Sequence, residues 1–200
     1  MISPISWEFS YPYILTALGC GYLLGSIPFG YLITRYAGLG DIRSVGSGNI
    51  GATNVLRTGK KHLAAATLIM DTGKGVLTVL IGSQFGPDIQ IIAAFGALCG
   101  HFFPIWLRFK GGKGVATSLG LMLALTWPIA LCSLATWVAV IFLTRYSSLA
   151  ALIASALAPI LAWYFSTAQI AEFYTIMVCL IWVRHFSNIK RLLSGTETKI

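Results

Sequence analysis

The sequence is poor in charge, and poorest of all in acidic residues. Only 10% of its 200 residues are charged and six are acidic, whereas 56% are hydrophobic and the mean hydropathy is +0.80. A soluble domain carries about 25% charged residues because it must cover its surface with polar groups. The shortage of charge therefore excludes a soluble globule and predicts one domain, residues 1–200, that lies in lipid.

Cysteine is also scarce, and its spacing is uninformative. The four cysteines lie inside apolar runs without a CxxC pair: Cys20, Cys99, Cys132 and Cys179. Thiols in such surroundings behave as small hydrophobic groups. We therefore predict no disulfide framework, no metal site and no cofactor.

Common signatures of soluble phosphate and acyl chemistry are missing as well. The Walker pattern GxxxxGK[ST] needs Ser or Thr after its lysine, but Gly114 follows Lys113. The residues five positions after the three histidines are Thr67, Trp106 and Lys190, so the HxxxxD signature of the common glycerolipid acyltransferases is absent. Neither a G-x-S-x-G elbow nor an HExxH zinc pattern occurs.

What the sequence does have is a series of long apolar runs. They lie near 11–34, 63–82, 89–107, 115–127, 128–144, 149–166 and 170–186. Most are long enough to cross a hydrocarbon core of about 30 Å. The fourth is short, and Trp127-Pro128 marks a tight turn, so a re-entrant pair over 115–144 is the alternative to two short spans. We favour two spans and predict an all-α integral membrane protein, a bundle of about seven transmembrane helices.

The basic residues indicate the orientation of this bundle. Thirteen of the fourteen Lys and Arg residues lie on alternate connections and the C-terminal segment, and Lys74 is the exception. Basic connections face the cytoplasm. We therefore predict an N-terminus outside and a C-terminus in the cytoplasm. The net charge of +8 thus reflects membrane topology, and no nucleic-acid partner is expected.

A segment that we call the first glycine loop, residues 46–57, is richer in polar groups than a connector requires. Its sequence is GSGNIGATNVLR. Glycines let backbone amides approach a ligand, and arginine offers a planar fork suited to phosphate. The candidate ligand-binding residues are Gly46, Ser47, Gly48, Asn49, Thr53, Asn54 and Arg57.

The second glycine loop, residues 110–117, has the sequence KGGKGVAT. Amides that precede a helix form an anion nest, and a lysine between glycines adds a point charge. The candidates here are Gly111, Gly112, Lys113, Gly114 and Thr117.

A third segment, residues 184–191, follows the last apolar run. His185 and Asn188 are three residues apart, so they share a helical face, and Lys190 and Arg191 follow them. Each segment alone has a simpler interpretation, as a turn, a chance glycine string or an interfacial cap. Three of them on one membrane face favour a single anion-binding site.

Three ionisable residues fall inside apolar runs. Asp71 and Lys74 lie three apart on one helical face, and His101 lies near Pro104. Charges in lipid are costly and usually functional, but a structural ion pair is an equal alternative for Asp71 and Lys74. We include Lys74 and His101 among the candidate substrate-binding residues.

Five motifs together resemble a known family. They are GSIP at 25–28, GSGNIGATNVLR at 46–57, GHFFP at 100–104, KGGKGVAT at 110–117 and RHFSNIKRLLSGTE at 184–197. In this order they resemble the bacterial acyl-phosphate:glycerol-3-phosphate acyltransferases over nearly the whole chain. The last residues, 196–199, are the least family-like, and Glu197 receives no role.

The resemblance implies an inner-membrane enzyme with seven spans and a cytoplasmic active site. Such an enzyme makes lysophosphatidic acid from acyl phosphate and sn-glycerol 3-phosphate, the first step of phospholipid synthesis. The family's substrate-binding residues match Ser47, Arg57, Lys113, His185 and Asn188. The implied partners are these two substrates, membrane lipids and an enzyme that produces acyl phosphate; acyl-CoA and acyl carrier protein are not used directly, and no metal is implied.

A small anion or lipid-phosphate transporter is the alternative from a different class. Transporters usually show repeated halves and a site at the membrane midplane. This sequence has no evident internal repeat, and its polar segments gather on one face, so we favour the acyltransferase.

Overall fold

The computed structural model describes residues 7–200, with side chains from residue 11 onward, and the described chain is helical without strands. This confirms the all-α prediction for these residues. The helices are α1 (Trp7–Gly25), α2 (Phe29–Tyr36), α3 (Ala52–Leu56), α4 (Lys61–Ser83), α5 (Pro87–Phe102), α6 (Val115–Thr144), α7 (Ser147–Phe165), α8 (Ala168–Arg184) and α9 (Phe186–Leu193).

Five segments of the described chain are long and apolar enough to cross a membrane: Tyr11–Tyr36, Lys61–Ser83, Pro87–Leu107, Val115–Thr144 and Ser147–Phe165. A sixth is obtained if α8 and α9, which are bent by 62° at His185, are counted as one span. Large apolar side chains cover the outside of the bundle, among them Phe142, Phe165 and Val183. Such a surface suits lipid rather than water.

Helix α6 is broken at the point where the sequence predicts a turn. Thr126 has φ −152° and ψ 76°, values outside the helical range, two residues before Pro128. A straight helix of its 30 residues would be about 45 Å long. Yet Gly114, which precedes α6, and Ser147, which follows it, line the same cavity. The chain therefore reverses at Thr126, and α6 is two arms joined by a turn.

The number of spans depends on how these arms are counted. With α6 as one span, the described chain has five or six. The predicted seven requires the bent α8–α9 pair and each arm of α6 to count as one crossing. Seven spans, and the orientation of the termini, stay predictions.

Close helix packing sets the positions of the loops. A Cβ added to Gly25 would collide with the backbone of Ala97, and one added to Gly120 would collide with the backbone of Thr72. Small residues let helices approach closely where lipid gives no hydrophobic driving force. These contacts lock α1 to α5 and α4 to the first arm of α6, so the second glycine loop starts from a fixed frame.

A small apolar cluster supports the first glycine loop. It consists of Ile42, Ile50, Val55, Ala64 and Leu107, each of them buried. Its members come from the short turn before the loop, from the loop itself with α3, from α4, and from the turn after α5. The loop therefore rests on a core of its own rather than lying free on the surface.

Candidate active site

One cavity of about 450 Å³ brings together residues from all three polar segments. The predicted residues that line it are Ser47, Asn49, Thr53, Asn54, Arg57, His101, Lys113, Gly114, His185 and Asn188. The predicted residues outside the lining are Gly46, Gly48, Lys74, Gly111, Gly112 and Thr117. The three segments thus form a single site, but several of their residues are not part of its lining.

Asn54 organises the first glycine loop from within. Its side chain is almost fully buried, and its Nδ2 donates to the carbonyl oxygens of Ile42, Val45 and Asn49 at 2.8–3.1 Å. Its Oδ1 accepts from the Ser47 backbone N–H at 2.9 Å. Both ends of the amide are occupied by protein, so Asn54 holds the loop together, and its hydrogen bond to a substrate stays a prediction.

The two glycines at the start of this loop shape a turn. Gly46 and Gly48 have φ of +55° and +70°, a region that side chains with a Cβ rarely adopt. Gly46 also packs against the side chains of Asn54 and Arg57. Neither lines the cavity, so both glycines shape the loop here, and their approach to a ligand stays a prediction.

Arg57 stands at the C-terminal end of α3, where it faces the cavity. Its Nη2 donates to Thr198 Oγ1 at 2.7 Å, which brings the C-terminal segment across the same opening. Thr53 lies one turn earlier and shares a hydrogen bond of 3.1 Å with Ser147 at the start of α7. The first glycine loop is therefore hydrogen-bonded both to the C-terminal segment and to the start of α7.

The second glycine loop differs from the predicted nest. The N–H groups of Gly111 and Gly112 donate to the carbonyl oxygens of Phe102 and His101 at 3.2 and 3.1 Å, so they cannot hold an anion. Within the described chain, no group accepts from the N–H of Lys113 or Gly114. Together with the N–H groups of the first turn of α6, which have no partner inside the helix, they are the backbone donors that remain available at this end of the loop.

A buried polar cluster lies below this loop. The ammonium of Lys74 is 2.8 Å from the carboxylate of Asp71 and donates to the carbonyl of Ile27, between α1 and α2. His101 shares a hydrogen bond of 3.1 Å with Thr117 through Nδ1. The contacts of Lys74 favour the structural ion-pair alternative, and substrate contacts of Lys74 and Thr117 stay predictions.

Lys113 is the best placed cation of the cavity. Burial lowers the pKa of its ammonium to about 8; the nearby carboxylate of Glu197 opposes this shift, and Arg191, Arg57 and Arg184 add to it. An anion that binds here would interact strongly with this ammonium, because it would offset the repulsion between Lys113 and the neighbouring arginines.

His185 and Asn188 present acceptors to the cavity. His185 Nδ1 lies 2.8 Å from the carbonyl oxygen of Ile181; since a carbonyl only accepts, Nδ1 carries the proton and Nε2 of the neutral ring is an acceptor. Asn188 Nδ2 donates to Glu197 at 2.7 Å. Its buried Oδ1 has no hydrogen-bond partner in the described chain, and such a group is costly unless a ligand satisfies it.

Glu197, to which the sequence analysis gave no role, also lines the cavity. Its carboxylate accepts from Ser148 Oγ and Asn188 Nδ2 at 2.7 Å and from Arg191 Nε at 2.6 Å. Partial burial raises its pKa, but these hydrogen bonds outweigh that effect and hold the pKa below its usual value. The available signal was a lone carboxylate in a basic segment of the chain.

Two further features complete the site. Ser148 and Thr198, which were not predicted, also line the cavity. Among the described residues, no group of three or more His, Cys, Asp and Glu side chains is arranged to hold a metal ion. The cavity offers cations, backbone N–H groups and neutral acceptors, together with the carboxylates of Asp71 and Glu197, which are already engaged by Lys74 and by Ser148, Asn188 and Arg191.

Comparison with known proteins agrees with this arrangement. The family model described as glycerol-3-phosphate acyltransferase matches residues 15–195. A glycerol-3-phosphate acyltransferase of Brucella anthropi is 58% identical over 94% of this chain and 93% of its own length. That of Mesorhizobium japonicum is 56% identical over 94% of this chain and 96% of its own.

Two solved structures have the same fold. Both are crystal structures of PlsY (YgiH), an integral membrane glycerol 3-phosphate acyltransferase, in its glycerol 3-phosphate and lysophosphatidic acid forms. The first is 35% identical with a TM-score of 0.89, and the second is 34% identical with a TM-score of 0.87. Each match covers 94% of this chain and 95% of the other.

The fold and the site define an integral membrane acyltransferase. The chain belongs to the glycerol-3-phosphate acyltransferase family. Family membership confirms the predicted class of enzyme and decides against the transporter alternative.

Proposed function

We propose that this enzyme transfers a fatty acyl group from acyl phosphate to sn-glycerol 3-phosphate. The products are 1-acyl-sn-glycerol 3-phosphate and inorganic phosphate. The acceptor and product are supported by the two related structures, which are glycerol 3-phosphate and lysophosphatidic acid forms. The reaction is placed on the cytoplasmic side of the bacterial inner membrane, where the predicted topology puts the basic loops.

The observation that carries the proposal is the mixed lining of the cavity. Lys113 and Arg57 line it together with the apolar side chains of Met122, Leu134 and Trp137. A lining that combines cations with apolar side chains suits a substrate with a phosphate at one end and a hydrocarbon chain at the other. The chain would lie between the arms of α6 and α7, within reach of the bilayer.

The reaction needs no nucleophile from the protein. Acyl phosphate is already activated, so the glycerol 1-hydroxyl oxygen attacks the acyl carbonyl carbon directly. The bond from this carbon to the phosphate oxygen breaks, and phosphate leaves with the electron pair. Lys113, Arg57 and the free N–H groups after Gly112 would stabilise the charge that develops on phosphate and on the carbonyl oxygen.

Two acceptors are placed to position the glycerol. Asn188 Oδ1 lacks a partner in the described chain, and His185 Nε2 is an acceptor because Nδ1 is engaged by Ile181. Both suit the hydroxyl groups of glycerol 3-phosphate, and holding the attacking oxygen in place lowers the barrier. The hydroxyl proton passes to His185 Nε2 or to a phosphate oxygen of a substrate, and we favour the phosphate oxygen.

The donor also implies a partner. Acyl phosphate is a reactive mixed anhydride, so direct delivery from the enzyme that makes it would limit its hydrolysis. We therefore propose functional coupling to an acyl-phosphate-producing enzyme at the membrane, with membrane lipids around the bundle.

The test uses the purified protein with palmitoyl phosphate and glycerol 3-phosphate. We expect lysophosphatidic acid and phosphate in equal amounts, without a nucleotide or added metal. Palmitoyl-CoA and palmitoyl acyl carrier protein serve as alternative donors and should give no turnover. A comparable rate with palmitoyl-CoA would contradict the proposed donor while leaving the family assignment intact.

A further inference from the structure

The backbone of Gly111 and Gly112 is held from two sides. On one side, the two N–H groups donate to Phe102 and His101 at the end of α5. On the other side, Arg184 Nη2 donates to the Gly111 carbonyl at 3.0 Å, and Arg184 Nε donates to the Gly112 carbonyl at 3.2 Å. All four polar groups of this dipeptide are thus satisfied by protein.

The Arg184 guanidinium is suited to this task by its shape. It is a rigid planar fork, so two donors can reach two neighbouring carbonyls at once, which a lysine ammonium on a flexible stem does poorly. It also lies 5.6 Å from the centre of the Phe103 ring, on the same turn as the α5 carbonyls. One side chain therefore ties α8 to both the loop and the end of α5.

The second glycine loop is packed closely between the end of α5 and Arg184. A Cβ added to Gly111 would collide with the His101 carbonyl, and one added to Gly112 would collide with the His101 ring. The glycines therefore lie directly on α5. Lys113, the next residue after this dipeptide, lines the cavity.

We infer that Arg184 is a positioning residue for acyl transfer: by holding Gly111 and Gly112, it fixes the place of Lys113. Arg184 is not part of the cavity lining, so it acts through the loop and not on the substrate. It also precedes His185, so the same end of α8 sets the positions of a cation and of an acceptor. The inference rests on the proposed function, because the readout of position is the rate of that reaction.

The experiment compares Arg184→Lys and Arg184→Gln with Arg108→Lys and Arg108→Gln. Arg108 is an exposed arginine on the same connection as the loop, so its variants control for charge and surface changes. Steady-state rates are measured with palmitoyl phosphate and glycerol 3-phosphate across pH. Melting temperature in detergent and hydrogen exchange of the peptide that contains Gly111 and Gly112 are measured on the same samples.

Both Arg184 variants should lose kcat by about 10- to 100-fold, since a displacement of about 1 Å near the reacting atoms can cost that much. The exchange of Gly111 and Gly112 should become faster, while the melting temperature stays within a few degrees because the hydrogen bonds from both glycines to the end of α5 remain. Arg184→Gln should also move the fall of kcat/KM at alkaline pH to higher pH, as one cation near Lys113 is gone. Arg184→Lys should leave the pH of that fall in place.

The activity of the wild type distinguishes a failure of the proposed function from a failure of the role inferred for Arg184. If the wild type makes no lysophosphatidic acid, the proposed function fails, and the role assigned to Arg184 fails with it. If the wild type turns over and both Arg184 variants keep kcat within threefold, only the inference is overturned. Loss of folded protein in both variants would also overturn it, because Arg184 would then be needed for the fold.

Discussion

The two glycine loops reach a fixed shape by opposite means. The first is organised from inside by the Asn54 side chain, which bonds three carbonyls within twelve residues of itself. The second has no such internal side chain and is held from outside by α5 and by Arg184, more than seventy residues away. The first loop is thus a local structure, whereas the second depends on the assembled bundle.

The largest expected effect comes from removing the cation that each loop carries. Lys113→Ala and Arg57→Ala should each lower kcat by about 10²–10³, the usual cost of one group that stabilises developing charge. Both proteins should extract and melt like the wild type, because neither side chain makes a hydrogen bond within its own glycine loop. Lys110→Ala, which removes an exposed cation from the second loop, is the control. A loss below fivefold in Lys113→Ala would remove it from the mechanism.

Asn54→Ala sharpens the contrast between the loops. It leaves three carbonyls and the Ser47 N–H without their partner, and each buried unsatisfied group costs about 1–3 kcal/mol. We expect a clear fall in melting temperature together with lost activity, unlike the Arg184 variants, which keep their stability. Asn49→Ala is the control, since the Asn49 side chain makes no hydrogen bond in the described chain. Unchanged melting of Asn54→Ala would show that the loop holds itself by other means.

The dependence of kcat/KM on pH tests the second glycine loop but not the first. With its pKa lowered to about 8 by burial, Lys113 is charged below this pH and loses its proton above it. The value of kcat/KM, which reports the free enzyme, should therefore fall as pH rises through about 8. Lys113→Arg stays charged throughout and should lack this fall in whatever activity remains, whereas Lys110→Arg should retain it. The same fall in Lys113→Arg would assign it to another group.

Ser47→Ala should have the smallest effect. The hydroxyl offers one neutral hydrogen bond, worth about 0.5–1.5 kcal/mol, and the Ser47 N–H keeps its bond to Asn54. We expect kcat/KM to fall by roughly tenfold or less with unchanged melting temperature. A loss as large as that of Lys113→Ala would mean that the hydroxyl acts on the reacting atoms.

The sequence predicted what depends on composition and short motifs. Few charges predicted a membrane protein, and the three polar segments do share one cavity. The turn near Trp127-Pro128 corresponds to the break at Thr126. These features follow from hydropathy, glycine and proline, whose effects act over a few residues.

The sequence did not predict which polar groups are hydrogen-bonded within the protein and which stay available to a ligand. Nothing near Gly111 indicates that its N–H is used by Phe102, since that pairing arises only when the chain folds back on α5. In the sequence, Asn54 and Asn49 are equally good candidates for binding a ligand. Only the folded loop shows that the Asn54 side chain is hydrogen-bonded within the protein. Glu197 gains its role from Ser148, 49 positions away. Such choices depend on tertiary packing, which a single sequence does not display.

The reversal of α6 brings both of its arms to one cavity. The first arm begins directly after the second glycine loop, and the second arm returns alongside it and carries apolar lining residues such as Leu134 and Trp137. The turn between them is tied to α8 by a hydrogen bond of 2.6 Å between Thr126 and the buried Tyr174. Under the proposed function, the phosphate end and the acyl chain of the donor would therefore lie against the same helical hairpin, whose turn is held by α8.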